Sequence, residues 1–415
     1  MILLSKPPKM HWKFSIWIKP FFLIMLFSNY SLANLSFQNL DKTKFSVITC
    51  SEGDEIYSLF GHSALRINNP YENKDIVVNW GLFEFTNDQL KFGYDFAKGR
   101  LSYFMGIQRT ANFLYEYQTT NRKVSEQILN LSNEKKQKLI DLLSINYKPE
   151  NRKYRYEFFY DNCSSKIRDY LNAIFGSEII WAKNSDANQL TFRQIINKNL
   201  EKKPWLGLGI NLVLGSPIDK KADNHNLMFL PSYVEKILKE TTIKSLDENQ
   251  NLVQKTKTLF KSSKLISKSN PDISYIFWTM FLITIVLLIL KLELAFKIWS
   301  SLTLFILGML GFILMFMWFG TDHQATKYNF NLLWATPTHW LTIYILISKK
   351  ASQLKSVFLI TSLIIIFSTI LFWFVIPQDF HYAIKPLILQ TCIIYFYFYK
   401  KNKQQLNLNK TNDSV

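Results

Sequence analysis

The chain has 415 residues, enough for one substantial globular domain plus a second unit, with 48% hydrophobic residues and a formal net charge of +18. Its three cysteines, Cys50, Cys163 and Cys392, are too few for a disulfide scaffold. The charge invites a nucleic-acid reading, but many of the lysines flank apolar segments, where they set membrane orientation and meet anionic headgroups instead.

At the N-terminus Lys6, Lys9, Lys13 and Lys19 precede the apolar run "PFFLIMLF" and then "SNYSLA", which ends at Ala33. This is the order of a secretory signal, with Ser31 and Ala33 at the positions read by signal peptidase, and it predicts export with cleavage near Ala33. The exported part begins with strand-like segments, "KFSVITC" (44–50), "SALRI" (63–67), "DIVVNWGLFEF" (75–85) and "SYFMGI" (102–107), separated by turn signals such as "SEGDE" and "NNPYEN". A helix over 133–147 follows Ser132 as N-cap. A second starts near Asn162 or Cys163 and carries Ile167, Tyr170, Leu171 and Ile174 at helical spacing. Strands first and helices after give an α+β domain over residues 34–240.

Residues 241–271 are polar and lysine-rich and read as a juxtamembrane helix or linker. No charged residue occurs between Ile273 and Leu290, between Ile298 and Gly320, or between Ser356 and Gln378, so each stretch predicts a membrane span. Two weaker spans, Leu332–Ser348 and Tyr382–Tyr399, the latter with Lys385 drawn to an interface, bring the number to five over 272–400. Lys291 and Lys297, then Lys349, Lys350 and Lys355, then Lys400, Lys401 and Lys403 fall in alternate connections and the tail. The positive-inside rule puts these in the cytoplasm and the large N-terminal domain outside it. Residues 401–415 form a cytoplasmic tail, whose end "NLNKTNDSV" (407–415) reads as disordered.

Three groups in the exported domain carry potential chemistry: His62 in "YSLFGHSALRI", on a strand face shared with Ala64 and Arg66; Asn79 in "VVNWG"; and Cys163 at a helix start. A helix N-terminus lowers a thiol's pKa, a nearby imidazole takes its proton, and a polar side chain fixes the ring's tautomer. From the residues alone Cys163 stands open between a buried structural thiol, half of a Cys50–Cys163 disulfide and a nucleophile. Asn79 is equally a strand-end turn residue. His225 lies further on in a polar loop. No His/Cys/carboxylate cluster has metal-ligand spacing, so no metal and no cofactor is expected.

The segments "SEGDEIYSLFGHSALRI", "VVNWGLFEF", "YRYEFFYDNCSSKIRDYL", "PWLGLGINLVLGSPIDK" and "LMFLPSYV" resemble, in that order, the N-terminal periplasmic domain of the bacterial lipoprotein N-acyltransferase family Lnb. The resemblance implies a circularly permuted papain-like (NlpC-like) fold, in which the histidine strand precedes the cysteine helix, followed by an all-α transmembrane bundle. It makes Cys163 the nucleophile, His62 the base and Asn79 the third member. It also implies an enzyme of the inner membrane whose periplasmic domain moves an acyl chain from a membrane phospholipid or a diacylglyceryl donor to the N-terminal cysteine of a lipoprotein.

Backbone N–H groups at the helix start are expected to hold the oxyanion. The stretch "TDHQATKYNFNLLWATPTHW" (321–340) places Asp322, His323, Asn329, Asn331 and His339 at or near the membrane surface, the first four as substrate-binding residues; an ordinary interfacial loop is the alternative. Two other functional readings stand beside the acyltransferase: an NlpC-like hydrolase of cell-wall peptides, and a non-enzymatic envelope protein stapled by a Cys50–Cys163 bridge.

Overall fold

Residues 35–83, 88–245, 248–263, 271–348 and 351–412 are described by a computed structural model. The signal segment 1–33 lies outside them. Strand β1 (Lys44–Cys50) is followed by β2 (His62–Asn69) and β3 (Lys74–Phe83), then helix α1 (Gln89–Lys98), β4 (Ser102–Arg109), α2 (Thr110–Thr119) and β5 (Val124–Leu129). Next come α3 (Asn133–Tyr147), β6 (Lys153–Arg155), α4 (Cys163–Phe175), β7 (Ile179–Ile180), α5 (Phe192–Leu200), α6 (Pro204–Val213), the short α7 (Asn224–Leu227) and α8 (Pro231–Glu240). Strands β8 (Thr242–Ile243), β9 (Gln250–Asn251) and β10 (Val253–Phe260) close the domain.

Among the described residues seven strands form one sheet in the order β10-β5-β1-β2-β3-β4-β6, with every pair antiparallel. Strand alternation divides its apolar residues between two faces. Phe45, Val47, Leu65, Ile67, Val78 and Trp80 join the main core with residues of α3, α4, α5 and α8. Ile48, Cys50, Ala64 and Val77 join a smaller core under Phe113 and Tyr117 of α2. Helices therefore cover both faces, which explains why six consecutive residues of β1 are buried.

Helix α4 buries Ile167, Leu171 and Ile174 against the sheet at i, i+4 and i+7. Burying each such side chain contributes about 1.5–3 kcal/mol, so the helix that carries Cys163 is held by its apolar face. Ser132 caps α3 as expected, its side chain accepting from Lys135 N.

The segment 241–271, read from composition as a helix or linker, carries β8, β9 and β10 among its described residues, and β10 lies at the sheet edge beside β5. Lys255 and Lys257 are exposed there. Lysine on an edge strand discourages further pairing, and the same lysines make the segment look like a linker.

The C-terminal region is helical: α9 (Ser274–Ile289), α10 (Glu293–Phe319), α11 (His339–Ile347), α12 (Gln353–Leu371) and α13 (Lys385–Asn412). By length and composition α10 and α12 are long and apolar enough to cross a membrane, and α9 is a shorter apolar helix. The predicted span 332–348 is broken, with a 3-10 turn Phe330–Leu333 preceding the nine-residue α11. Residues 401–412 of the tail, including 407–412 that read as disordered, continue α13.

Leu304, Leu307 and Leu314 of α10 pack with Leu359, Ile366, Ile388 and Ile394 in the bundle interior, while large apolar side chains such as Leu282, Phe305 and Phe367 face outward. An outward apolar girdle of this kind suits lipid as its solvent. Lys385 starts α13, its ammonium 4.8 Å from the Trp373 ring centroid, a cation–π contact.

Candidate active site

Cys163 is the first residue of α4, and the chain around it is fixed by Asn162. The Asn162 side-chain oxygen accepts from Ser164 N at 2.8 Å and Ser165 N at 2.9 Å, while Ser165 Oγ accepts from Asn162 N at 2.8 Å. This is a complete capping box. The Asn162 amide nitrogen donates to Phe158 O and Phe229 O, so the cap is also tied to the segment before the helix and to the turn before α8. The cost of this arrangement is that the Ser164 and Ser165 amides are already taken. Of the helix-start amides expected to hold an oxyanion, the Cys163 N–H is therefore the one left for that task.

His62 opens β2 directly after Gly61, which has φ +81°, a left-handed conformation suited to glycine. A Cβ on Gly61 would stand 2.6 Å from the Cys50 carbonyl oxygen, so the turn that delivers His62 needs glycine on both counts. Asn79 lies on the neighbouring strand β3, and His62 Nε2 is 2.5 Å from Asn79 Oδ1. An amide oxygen only accepts, so Nε2 carries the proton and Nδ1 is the ring nitrogen left for the Cys163 thiol. Strands β3 and β4 shift register between Asn79 and Leu82, where Gly81 has φ +83°. The resulting bulge sits beside Asn79.

Burial opposes ionisation of the Cys163 thiol, but the charge of His62 and its hydrogen bond, joined by Ser63 N–H and the Ser164 hydroxyl, hold the thiol below its ordinary value. Burial likewise opposes charge on His62, yet the Cys163 charge, its hydrogen bond and Asn79 raise the imidazole above its usual value. The two shifts have one cause, the mutual attraction of a thiolate and an imidazolium.

Cys50 behaves oppositely. Burial pushes its thiol far up, and it packs in the α2-side core while Cys163 belongs to the main core. All three cysteines are free thiols, so the Cys50–Cys163 bridge is not formed.

Three features escaped sequence reading. Ser63 Oγ and Ser164 Oγ meet at 3.0 Å, joining the residue after His62 to the residue after Cys163. Asn162 acts as the cap, which its place before a helical pattern could have signalled. Tyr154 and Tyr156 stand close to the site: burial first, then the Cys163 charge, raises both phenols.

The segment 321–340 is docked rather than open. Asp322 Oδ2 accepts from Arg100 Nε at 2.8 Å and Arg155 Nη2 at 2.5 Å, and the His323 ring stands 3.2 Å from Phe96 O. Asn329 donates to Leu212 O and Val213 O, and Asn331 donates to Leu212 O, so these two buried amides clasp the end of α6. His339 is buried in the bundle, between Tyr395 Oη at 2.9 Å and Trp334 O at 2.8 Å, and not at a surface. The geometry gives Asn329, Asn331 and His339 structural partners within the protein. Asp322 and His323 instead lie against the C-terminal end of α1, and Asp322 also reaches Arg155 of β6. His225 sits on α7, its carbonyl held by Arg168 Nη1. Among the described residues no cluster of three or more His, Cys, Asp or Glu is placed to hold a metal ion.

Residues 32–198 match the family model described as the Lnb N-terminal periplasmic domain, and residues 265–405 match the Lnb transmembrane domain. No curated protein and no solved structure matches the chain. The two models take in the first six strands of the main sheet with the Cys163 helix, and then the helical bundle, in that order: the chain belongs to the Lnb family, a membrane protein with a periplasmic domain.

Proposed function

We propose that this protein is a lipoprotein N-acyltransferase working through a Cys163 thioester. The observation that carries the reading is the Cys163–His62–Asn79 arrangement at the head of α4, with Cys163 and Asn79 buried and His62 partly buried, in a chain of the Lnb family. The Cys163 thiolate attacks an ester carbonyl of a membrane glycerolipid. The ester C–O bond breaks, the C–S bond forms, and the His62 imidazolium gives its proton to the departing alcohol. The α-amine of the lipid-modified N-terminal cysteine of a lipoprotein then attacks the thioester. A C–N bond forms, the C–S bond breaks, and His62 takes the amine's proton. The donor is a phospholipid or a diacylglyceryl group, both held in the bilayer that the helical domain occupies.

The reading includes a multi-pass inner-membrane topology. Lys401 pairs with Glu293 at the start of α10, and Asn402 binds Ser352 beside α12, so the basic segments gather at one end of the bundle. Lys98 of the sheet domain binds Gly320 O at the other end of α10. Positive charge at the end away from the sheet domain supports a cytoplasmic placement for that end.

The test is the mass of lipoprotein N-terminal peptides from cells in which this protein supplies the N-acylation. Wild type should add one acyl chain to the α-amine, and Cys163→Ala or His62→Ala at equal protein level should not. An undiminished N-acyl mass in the Cys163→Ala cells would overturn the reading.

A further inference from the structure

Helix α1 is fastened to the membrane domain. Lys98 Nζ donates to Gly320 O at 2.5 Å and stands 5.9 Å from the Phe316 ring centroid, Asp322 N donates to Lys98 O at 2.9 Å, and His323 meets Phe96 O. The C-terminal end of α1 therefore sits on the end of α10, level with the exposed Phe319. On α1 Leu90 is 88% exposed and Tyr94 56%. Apolar side chains this exposed, beside a membrane-spanning helix, have lipid as their natural neighbour.

From α1 a row of half-buried rings leads inward. Phe92 of α1 lies 5.8 Å from Phe83, Phe83 lies 5.5 Å from Tyr103, and Tyr103 stacks on Tyr156 at 4.6 Å between centroids. Tyr156 in turn lies against Gly81 in the bulge two residues beyond Asn79, whose side chain holds His62. The row follows the bulged end of β3, where Gly81 lies beside Tyr156: a Cβ there would be in van der Waals contact, 3.4 Å from the Tyr156 ring. At the α1 end Arg100 and Arg155 share one Asp322 oxygen, with Asp95 near Arg100 and Glu157 near Arg155.

We propose that Phe92, Phe83, Tyr103 and Tyr156 form an acyl-chain track, along which a fatty chain of a membrane glycerolipid passes from the outer leaflet at α1 to Cys163. Half-exposed rings bind a flexible alkyl chain without demanding a fixed orientation. Exposed Leu90 and Tyr94 seat α1 in the leaflet so that the chain enters the track without crossing water. The inference rests on the acyltransferase reading, since it names the path by which that reading's donor reaches the thiol.

Two measurements on the full-length protein in lipid nanodiscs test it. The first compares Cys163 acylation by water-soluble p-nitrophenyl butyrate and by dipalmitoyl phosphatidylethanolamine in wild type, Phe83→Ala and Tyr103→Ala. Both variants should raise KM for the phospholipid by about tenfold or more while leaving butyrate acylation within about twofold. Equal losses on both esters, or no loss on the phospholipid, would overturn the track. The second uses wild-type protein and phosphatidylethanolamine bearing a diazirine near the end of its acyl chain. Photolysis should label peptides from residues 89–109 and 153–156, and labelling confined to the α9–α13 girdle would refute the proposal whether or not Cys163 is acylated. If neither ester acylates Cys163 but the label falls on the track, the acyltransferase reading fails and the lipid path stands.

Discussion

Ser63 Oγ and Ser164 Oγ meet 3.0 Å apart with both residues fully buried, latching the strand of His62 to the helix of Cys163 one residue beyond each. Removing the Ser164 hydroxyl leaves that of Ser63 buried without its partner, a cost of about 1–3 kcal/mol, whereas the Ser164 hydroxyl keeps Cys163 Sγ at 3.9 Å when Ser63 is replaced. Ser63→Ala and Ser164→Ala should each lower the thermal midpoint of the detergent-solubilised protein. The double variant should lose less than the sum of the two, because no orphaned hydroxyl remains. Strict additivity would show that the two hydroxyls do not act as a pair.

The ion pair at the site sets a pH profile. Alkylation follows the thiolate, so iodoacetamide labelling of Cys163 should have its midpoint below the ordinary thiol value of 9.0. Cys50, whose thiol is pushed up by burial, should stay unlabelled across the same range. In His62→Ala the charge and hydrogen bond opposing burial are gone, and the midpoint should move upward. Acyl transfer should fall on the acid side as Cys163 takes up its proton. It should also fall on the alkaline side once the pH passes the raised value of His62, when no imidazolium remains to protonate the leaving alcohol. A His62→Ala midpoint equal to wild type would remove His62 from the thiol's environment.

Asn79 holds His62 by its side-chain oxygen. Losing a hydrogen bond to a charged group costs about 1.5–3 kcal/mol, which corresponds to a rate loss of roughly 10- to 100-fold. Asn79→Ala should show that drop in acyl transfer with the protein still folded, and Asn79→Gln should recover part of it only if its longer side chain reaches Nε2. A variant with wild-type turnover would leave Asn79 as a strand residue and no more.

Asn329 and Asn331 clasp the carbonyls at the end of α6. Asn329→Ala should therefore destabilise the detergent-solubilised protein by about 1–3 kcal/mol. Cys163 alkylation in the folded fraction should not change. Loss of phospholipid binding with unchanged stability would return Asn329 to the substrate-binding role read from its sequence position.

Local signals made part of this architecture legible. Strand β1 and helix α3 lie where alternation and Ser132 place them, and the start of α4 follows from an Asn before a helical pattern. Cys163, His62 and Asn79 could be named, but their convergence depends on the turn at Gly61 and the bulge at Gly81, whose effects are three-dimensional. Strand β10 was misread because exposed Lys255 and Lys257 dominate its composition, whereas its partner β5 lies more than a hundred residues earlier. The polar residues of 321–340 looked like a binding surface because a single chain does not reveal which backbone carbonyls another segment leaves for them.

The edge position of β10 decides how this protein can be cut. A fragment ending at residue 240, or at 198 where the periplasmic family match stops, would strip β10 from β5 and bare a strand edge ready to pair with another copy. The 198 fragment would also lose α8, which covers the main core with Tyr233, Val234, Ile237 and Leu238. A piece that keeps β10 on β5 must reach Phe260, and one that runs through Ser263 also keeps the ties of its backbone and side chain to Asn121.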